Sequence, residues 1–163
     1  MKIKRQIIVD ASADKVWSVL GHKYDRVSDW ASSVLESNGK FVTQRGIEAP
    51  FSGRKCQTTI GSFDEEIIDY DEQKMMLAYT AKGDKMPFFV VRLANNWLVT
   101  SINENQSRID MRMEMHLLPF FNLIMTPIMK MQMGKVVDVV VEDLKHYVES
   151  DLPHPRKLKS LTK

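Results

Sequence analysis

Apolar and polar residues alternate over residues 2–10, which is the period of a half-buried β-strand. Ser12 follows, a residue type that commonly caps the first turn of a helix. Apolar residues then recur at helical spacing as far as Leu20, and a second short helical stretch extends to Val34. The pattern predicts one strand followed by two short helices.

Between residues 34 and 117 the period changes to two, and turn-forming pairs recur along the chain. The turn signals are Asn38-Gly39, Gly61-Ser62, Asp71-Glu72, Gly83-Asp84 and residues 103–105. They predict six further strands in an antiparallel meander. Such a sheet has one buried face and needs a second layer to cover it.

The covering layer is expected at the end of the chain, where Thr126-Pro127 has the form of a helix start. A helix from there to Glu149 would measure about 34 Å at about 1.5 Å per residue, long enough to cross a sheet. The predicted architecture is therefore α+β: seven antiparallel strands around one long carboxy-terminal helix. Residues 1–149 form a single predicted domain, and residues 150–163 are predicted to be a mobile basic tail.

Composition narrows the function classes. The chain has 163 residues, 44% of them apolar, which suits one globular domain. The net charge is +2, and the tail carries +3 of charge, so the domain itself is close to neutral and nucleic-acid binding is not expected. One cysteine and four scattered histidines predict neither a disulfide nor a metal site, and no cofactor motif is present. The amino terminus lacks a long apolar run, so a cytoplasmic location is expected.

The order of elements and the local sequence resemble a known superfamily. IIVDASADKVWSVLGHKYDRVSDWASSV resembles its opening strand and two helices, and GRKC with FDEEIIDYDEQKMMLAYTAKG resembles its third to fifth strands. The chain is similar to the START and birch-pollen-allergen superfamily, in the polyketide cyclase/dehydrase-like branch. The resemblance implies the helix-grip fold, with a ligand cavity between the sheet and the long helix.

Four polar or aromatic residues are candidate cavity residues. The resemblance places Glu65 and Tyr79 at inward positions and Trp30 where the cavity closes, and Trp97 shares strand parity with Leu93 and Val99. Glu65 is expected to be a carboxylate without a fixed partner, which would accept a hydrogen bond from a ligand. The alternative is that these residues are ordinary core or, for Glu65, solvated.

Methionine is unusually frequent, with 11 residues. Three of them alternate on the last strand, and Met129 and Met133 are expected to face them from the helix. They predict an adaptable apolar cavity lining, with filling of an ordinary core as the alternative. The apolar candidates for the lining are Met111, Met113, Met115, Met133, Val137 and Val140. No residue is assigned as catalytic, since Cys56 has no predicted base and the nucleophile-elbow motif is absent.

Three functions remain open. The first is a carrier or sensor that binds a hydrophobic small molecule such as a lipid, sterol or polyketide. The second is a cyclase or dehydratase with Glu65 as acid/base and Tyr79 or Arg5 steadying an enolate. The third is an interaction module using the apolar segment 120–131, as a weak homodimer or, less favoured, at a membrane, unless residues 119–125 form a loop over the cavity. The apolar side chains of that segment are Phe120, Phe121, Ile124, Ile128 and Met131.

Overall fold

The structure is a computed structural model that describes residues 1–42 and 46–160. Strand β1 is followed by helix α1, one π-helical turn and a 3₁₀ helix, then six strands and two further helices. The elements are β1 Lys2–Val9, α1 Ala13–Trp17, the π turn Ser18–His22, the 3₁₀ helix Tyr24–Asp29, β2 Val34–Lys40, β3 Gly53–Thr58, β4 Gly61–Asp71, β5 Met76–Gly83, β6 Val90–Asn103, β7 Gln106–Leu117, α2 Pro119–Ser150 and α3 Pro155–Ser160.

The seven strands form one antiparallel sheet in the order β1-β7-β6-β5-β4-β3-β2. Consecutive strands from β2 to β7 are joined as hairpins, and β1 closes the order by pairing with β7. Apolar side chains of one sheet face pack against the second half of α2 and against the short helices after β1. The predicted helix-grip α+β fold is therefore confirmed.

One predicted turn lies inside a strand. Asn38-Gly39 belongs to β2, where Gly39 pairs with Arg54 of β3. A Cβ atom on Gly39 would lie 2.6 Å from Cδ1 of Phe51, so the glycine permits close approach of a ring rather than a chain reversal. The other four turn signals stand at or beside the observed chain reversals.

Helix α2 begins earlier than the sequence pattern predicts. Leu118 precedes Pro119 at the first helical turn, and Pro127 lies inside the helix instead of starting it. The prediction that residues 119–125 form a loop is therefore wrong. The 32 residues of α2 span about 48 Å at about 1.5 Å per residue, so its first half reaches beyond the core. Within the described ranges, no helix is both long and apolar enough to cross a membrane.

The carboxy-terminal segment differs from the mobile tail that its composition predicts. Residues 155–160 form α3, and Arg156 Nε donates to the buried Asp143 of α2 at 2.6 Å. The Lys157 side chain is buried, and its Nζ donates to the Val34 carbonyl at 2.5 Å. The polar ends of these long side chains find partners in the domain, which attaches the segment to α2 and β2. The last three residues, 161–163, lie outside the described residues.

Asp143 is expected to contribute strongly to stability because it is fully buried and accepts three hydrogen bonds. Ser32 donates to it from the backbone N–H and from Oγ, in addition to Arg156. Asp143→Ala should lower the free energy of unfolding by about 2–4 kcal/mol, because these donors lose a buried acceptor. Asp138→Ala is the matched control, since Asp138 on the same helix forms a half-exposed pair with Arg5 and should cost at most about 1 kcal/mol. Equal losses in urea unfolding of the two variants would contradict the role of Asp143.

Candidate ligand-binding cavity

A cavity of about 210 Å³ lies between the concave face of the sheet and α2. Strands β3 to β7 form its floor, and α2 forms its roof. The π turn, the 3₁₀ helix and the link into β2 close one end. Most of the wall is apolar, and the polar side chains collect around Arg54.

The structure brings together seven of the ten residues that the sequence analysis places in a cavity. These seven line the wall: Trp30, Glu65, Tyr79, Trp97, Met113, Met133 and Val140. The other three, Met111, Met115 and Val137, are buried in the core but do not reach the cavity. Of the methionines proposed as cavity lining, only Met113 of β7 and Met133 of α2 therefore line the cavity among the described residues.

Glu65 has two fixed partners, contrary to the expectation of an unpaired carboxylate. Arg54 Nε donates to Oε2 of Glu65 at 2.6 Å, and the Tyr24 hydroxyl donates to the same oxygen at 2.7 Å. Arg54 also donates through Nη1 to the Tyr24 carbonyl at 2.6 Å. The side chains of Arg54 and Glu65 are only 8% and 11% exposed, so this is a buried ion pair. We call Arg54, Glu65, Tyr24 and Tyr79 the polar cluster.

Two tyrosine rings enclose the guanidinium group. Its Cζ atom lies 4.0 Å from the centroid of the Tyr24 ring and 5.4 Å from that of Tyr79. The two rings meet edge to face at a centroid distance of 5.5 Å. Cation–π attraction is strongest where water is excluded. The two rings therefore help to stabilise the positive charge of Arg54 in the interior.

Burial and the ion pair set the ionisation of the cluster. Burial disfavours the charge on Arg54, but the neighbouring Glu65 more than offsets this and raises the pKa of Arg54. Burial, together with the charge of Glu65, raises the pKa of Tyr24 and of Tyr79 against the opposing effect of Arg54. Both tyrosines therefore remain neutral hydrogen-bond donors at physiological pH.

Two acceptor atoms of residues at the cavity wall receive no hydrogen bond from the described residues. Both hydrogen bonds to Glu65 end on Oε2, so Oε1 accepts none from the described residues. Asn95 on β6 is buried and faces the cavity, and its Oδ1 atom has no hydrogen-bond partner in the part of the chain that the structure describes. A buried acceptor without a donor is costly, so Oδ1 of Asn95 favours a guest that supplies a donor.

Other candidates from the sequence lie elsewhere or are inert. Arg5 pairs with Asp138 of α2 and does not line the cavity, so it is not placed to steady a bound enolate. Cys56 does line it, but burial raises the pKa of its thiol. Among residues 1–42 and 46–160, no group of three or more metal-ligating side chains is close enough to hold a metal ion.

Sequence reasoning missed Arg54, Tyr24 and Asn95. Asn95 carried a clear signal, because it shares the parity of Leu93 and Trp97 and is thus a polar residue on an apolar strand face. Arg54 likewise shares parity with the apolar Cys56. Tyr24 lies in a 3₁₀ helix, whose short and irregular pattern gives no comparable signal.

Solved structures with low sequence identity share this architecture, a long helix gripped by an antiparallel sheet. A START superfamily protein from Mycobacterium smegmatis is 12% identical, with a TM-score of 0.70 over 90% of this chain and 96% of that one. The Zhui aromatase/cyclase from Streptomyces sp. R1128 is 12% identical, with a TM-score of 0.65 over 94% and 99%. Norcoclaurine synthase from Thalictrum flavum is 15% identical, with a TM-score of 0.66 over 91% and 93%. These similarities establish the helix-grip fold class.

The family follows from the sequence match. Residues 1–149 match the family described as polyketide cyclase / dehydrase and lipid transport, so the chain belongs to that family. Comparison with curated protein sequences gives no significant match. Family and fold together support binding of a hydrophobic ligand or cyclase activity, and they do not distinguish the two.

The buried pair makes Glu65 important for folding. Glu65→Gln should lower the free energy of unfolding by about 3–5 kcal/mol, because it leaves the Arg54 charge buried without a counter-ion. The double variant Arg54→Met/Glu65→Leu removes both charges and should regain most of that loss, as apolar replacements of buried pairs often do. Urea unfolding of the single and double variants measures both effects. A loss below about 1 kcal/mol for Glu65→Gln would show that the pair is solvated.

Cys56 should react slowly with thiol reagents in the folded protein. Its raised pKa leaves less thiolate at pH 8 than a free cysteine has, and the thiolate is the reactive form. Burial of the side chain slows the reaction further. Labelling with a chromogenic disulfide should therefore be much slower than in urea-unfolded protein, and equal rates would show that the thiol is exposed.

Proposed function

We propose that the protein binds a compact, largely apolar small molecule that carries at least one hydrogen-bond donor, and that it acts as a carrier or sensor rather than an enzyme. The observation that carries this proposal is the cavity between the sheet and α2, an apolar space whose polar end offers unused acceptor atoms. Pockets of this composition gain affinity from apolar burial and orientation from a few polar groups.

The size of the cavity favours a small ligand over a sterol or a long polyketide. Its volume of about 210 Å³ lies below the range of roughly 300–1,000 Å³ that is usual for pockets holding drug-sized molecules. A ligand with one or two rings matches this space without movement of the walls. Met113 and Met133 can change rotamer at low cost and give some room for a larger guest.

The polar atoms favour a donor on the ligand. Glu65 of β4 and Asn95 of β6 both line the cavity, and Oε1 of Glu65 and Oδ1 of Asn95 accept no hydrogen bond from the described residues. A phenol or alcohol would donate to one of them, while its apolar part contacts Trp30 and Trp97. An apolar ligand without a donor would leave the buried Oδ1 of Asn95 unsatisfied, which lowers its affinity.

The polar cluster also favours binding over acid/base catalysis by Glu65. A general acid must carry a proton during part of the reaction cycle. Protonation of Glu65 would remove the counter-ion of the buried Arg54, and this cost opposes a proton-transfer role. Chemical conversion of a bound ligand by the protein would instead support the cyclase alternative.

Binding can be tested with two ligands of similar shape, 2-naphthol and its methyl ether, which lacks the hydroxyl donor. Tryptophan fluorescence is a direct readout, because Trp30 and Trp97 line the cavity. We expect saturable binding of both, with 2-naphthol about tenfold tighter since it satisfies a buried acceptor. Mass spectrometry of the recovered ligand should show it unchanged.

The variant Asn95→Leu removes one acceptor from the cavity wall and should reduce the preference for 2-naphthol. Asn96→Leu is its matched control, because the next residue of β6 faces the outer groove of the sheet and not the cavity. Absence of saturable binding for both compounds would contradict the proposed function. Equal affinity for 2-naphthol and its methyl ether would support an apolar binding site but show that the ligand needs no hydrogen-bond donor.

A further inference from the structure

The first half of α2 exposes an apolar surface that the ligand-binding proposal does not use. Phe120 is 71% exposed and Leu123 is 85% exposed, although both are large apolar residues. Ile124, Ile128 and Met131 are also exposed on successive turns. Monomeric proteins rarely present a continuous apolar patch of this kind without a binding role.

The β5–β6 loop extends this surface. Phe88 in that loop is 78% exposed, and its ring packs edge to face against Phe121 at a centroid distance of 5.3 Å. Phe89 stacks on Phe121 at 4.8 Å, and the Phe89 carbonyl accepts a hydrogen bond from Leu118 N–H. The ring contacts fix the loop against the start of α2. We call Phe88, Phe120, Leu123, Ile124, Ile128 and Met131 the apolar patch.

The charged side chains on the first half of α2 have one sign. Residues 115–137 contain no aspartate or glutamate, while Lys130 and Lys135 are exposed on α2 and form no ion pair with the described residues. In the β5–β6 loop, the side chain of Asp84 is turned to β4, where it accepts a hydrogen bond from Ser62 N–H. Apolar side chains with lysines beside them are typical of helices that lie in the interface of an anionic membrane.

A second copy of the chain fits this surface less well. A two-fold contact would bring the same patch of both copies together, and Lys130 and Lys135 of each copy with it. No carboxylate on residues 115–137 is available to pair with them. Like charges at an interface oppose association, whereas lipid phosphates and carboxylates neutralise them.

We infer that the apolar patch docks the protein on the surface of an anionic lipid bilayer. The patch and the cavity share α2: Met131 belongs to the patch, and Met133 lines the cavity two residues further along. Docking therefore sets the membrane against the same helix that forms the roof of the cavity. The inference stands on the surface alone and does not require that the cavity binds a ligand.

Vesicle flotation with the full chain tests the inference. We expect binding to phosphatidylcholine vesicles containing about 30% phosphatidylserine, and weaker binding to pure phosphatidylcholine. Leu123→Glu should weaken binding to the anionic vesicles at least about tenfold, because it replaces an apolar side chain that the bilayer would bury by a negative charge. Lys130→Gln/Lys135→Gln should weaken it about 30-fold and leave binding to neutral vesicles unchanged.

Ile102→Glu is the matched control. Ile102 is an exposed apolar residue at the β6–β7 hairpin. It lies about 40 Å along β6 from the strand end next to the patch, at about 3.3 Å per residue. This variant should therefore bind vesicles as the wild type does. Thermal unfolding of each variant verifies that it is folded, and the high exposure of Leu123 makes loss of the fold an unsuitable explanation for lost binding.

Three results would overturn the inference. The first is absence of binding to either vesicle, and the second is equal binding to anionic and neutral vesicles. The third is a lipid-free dimer at about 100 µM in sedimentation equilibrium that Leu123→Glu dissociates, without vesicle binding. That last result would assign the patch to a second copy of the chain.

Discussion

The guanidinium of Arg54 lies inside the protein, and a buried charge costs several kcal/mol unless a partner of opposite charge meets it there. Glu65 is that partner, so the β3–β4 hairpin must keep the register in which the two residues face each other. Tyr24 contributes both its carbonyl and its hydroxyl to the same pair. The position of the 3₁₀ helix, and with it the closed end of the cavity, therefore depends on one ion pair.

A second buried carboxylate joins α2 to the segment before β2 and to α3. Asp143 of α2 accepts from Ser32 in the link before β2 and from Arg156 of α3. Charged hydrogen bonds thus help to hold two parts of the chain without strand pairing, the Ser32 link and the carboxy-terminal helix. The apolar residues beside Ser32, which are Trp30, Ala31 and Val34, line the cavity. The first half of α2 has no such charged hydrogen bond to the described residues, and several of its apolar residues, among them Phe120 and Leu123, are exposed.

The alternation of apolar and polar residues was sufficient to predict the regular, repeating part of the fold, which is the sheet. Alternation along the strands predicted the antiparallel sheet. The two-residue turn between Thr58 and Gly61 sets a register that pairs Arg54 with Glu65. That pair was not identified from the sequence. The attached carboxy terminus was beyond sequence pattern, because it depends on Arg156 and Lys157 meeting groups far along the chain. The early start of α2 was missed because Pro127 has the appearance of a first-turn residue while it lies inside the helix.

The two sides of the cavity differ in their freedom to move. Short hydrogen bonds hold Arg54, Glu65 and Tyr24 together, and separating Arg54 from Glu65 would leave a buried charge without a partner. The opposite wall consists of Met133 and the valines of α2, whose side chains are apolar and make no hydrogen bonds that a movement would break. A ligand larger than the present space would therefore be accommodated on the α2 side, while its polar group stays fixed at the sheet. Selection of ligands would then be strict for the hydrogen-bonding group and tolerant for the apolar part.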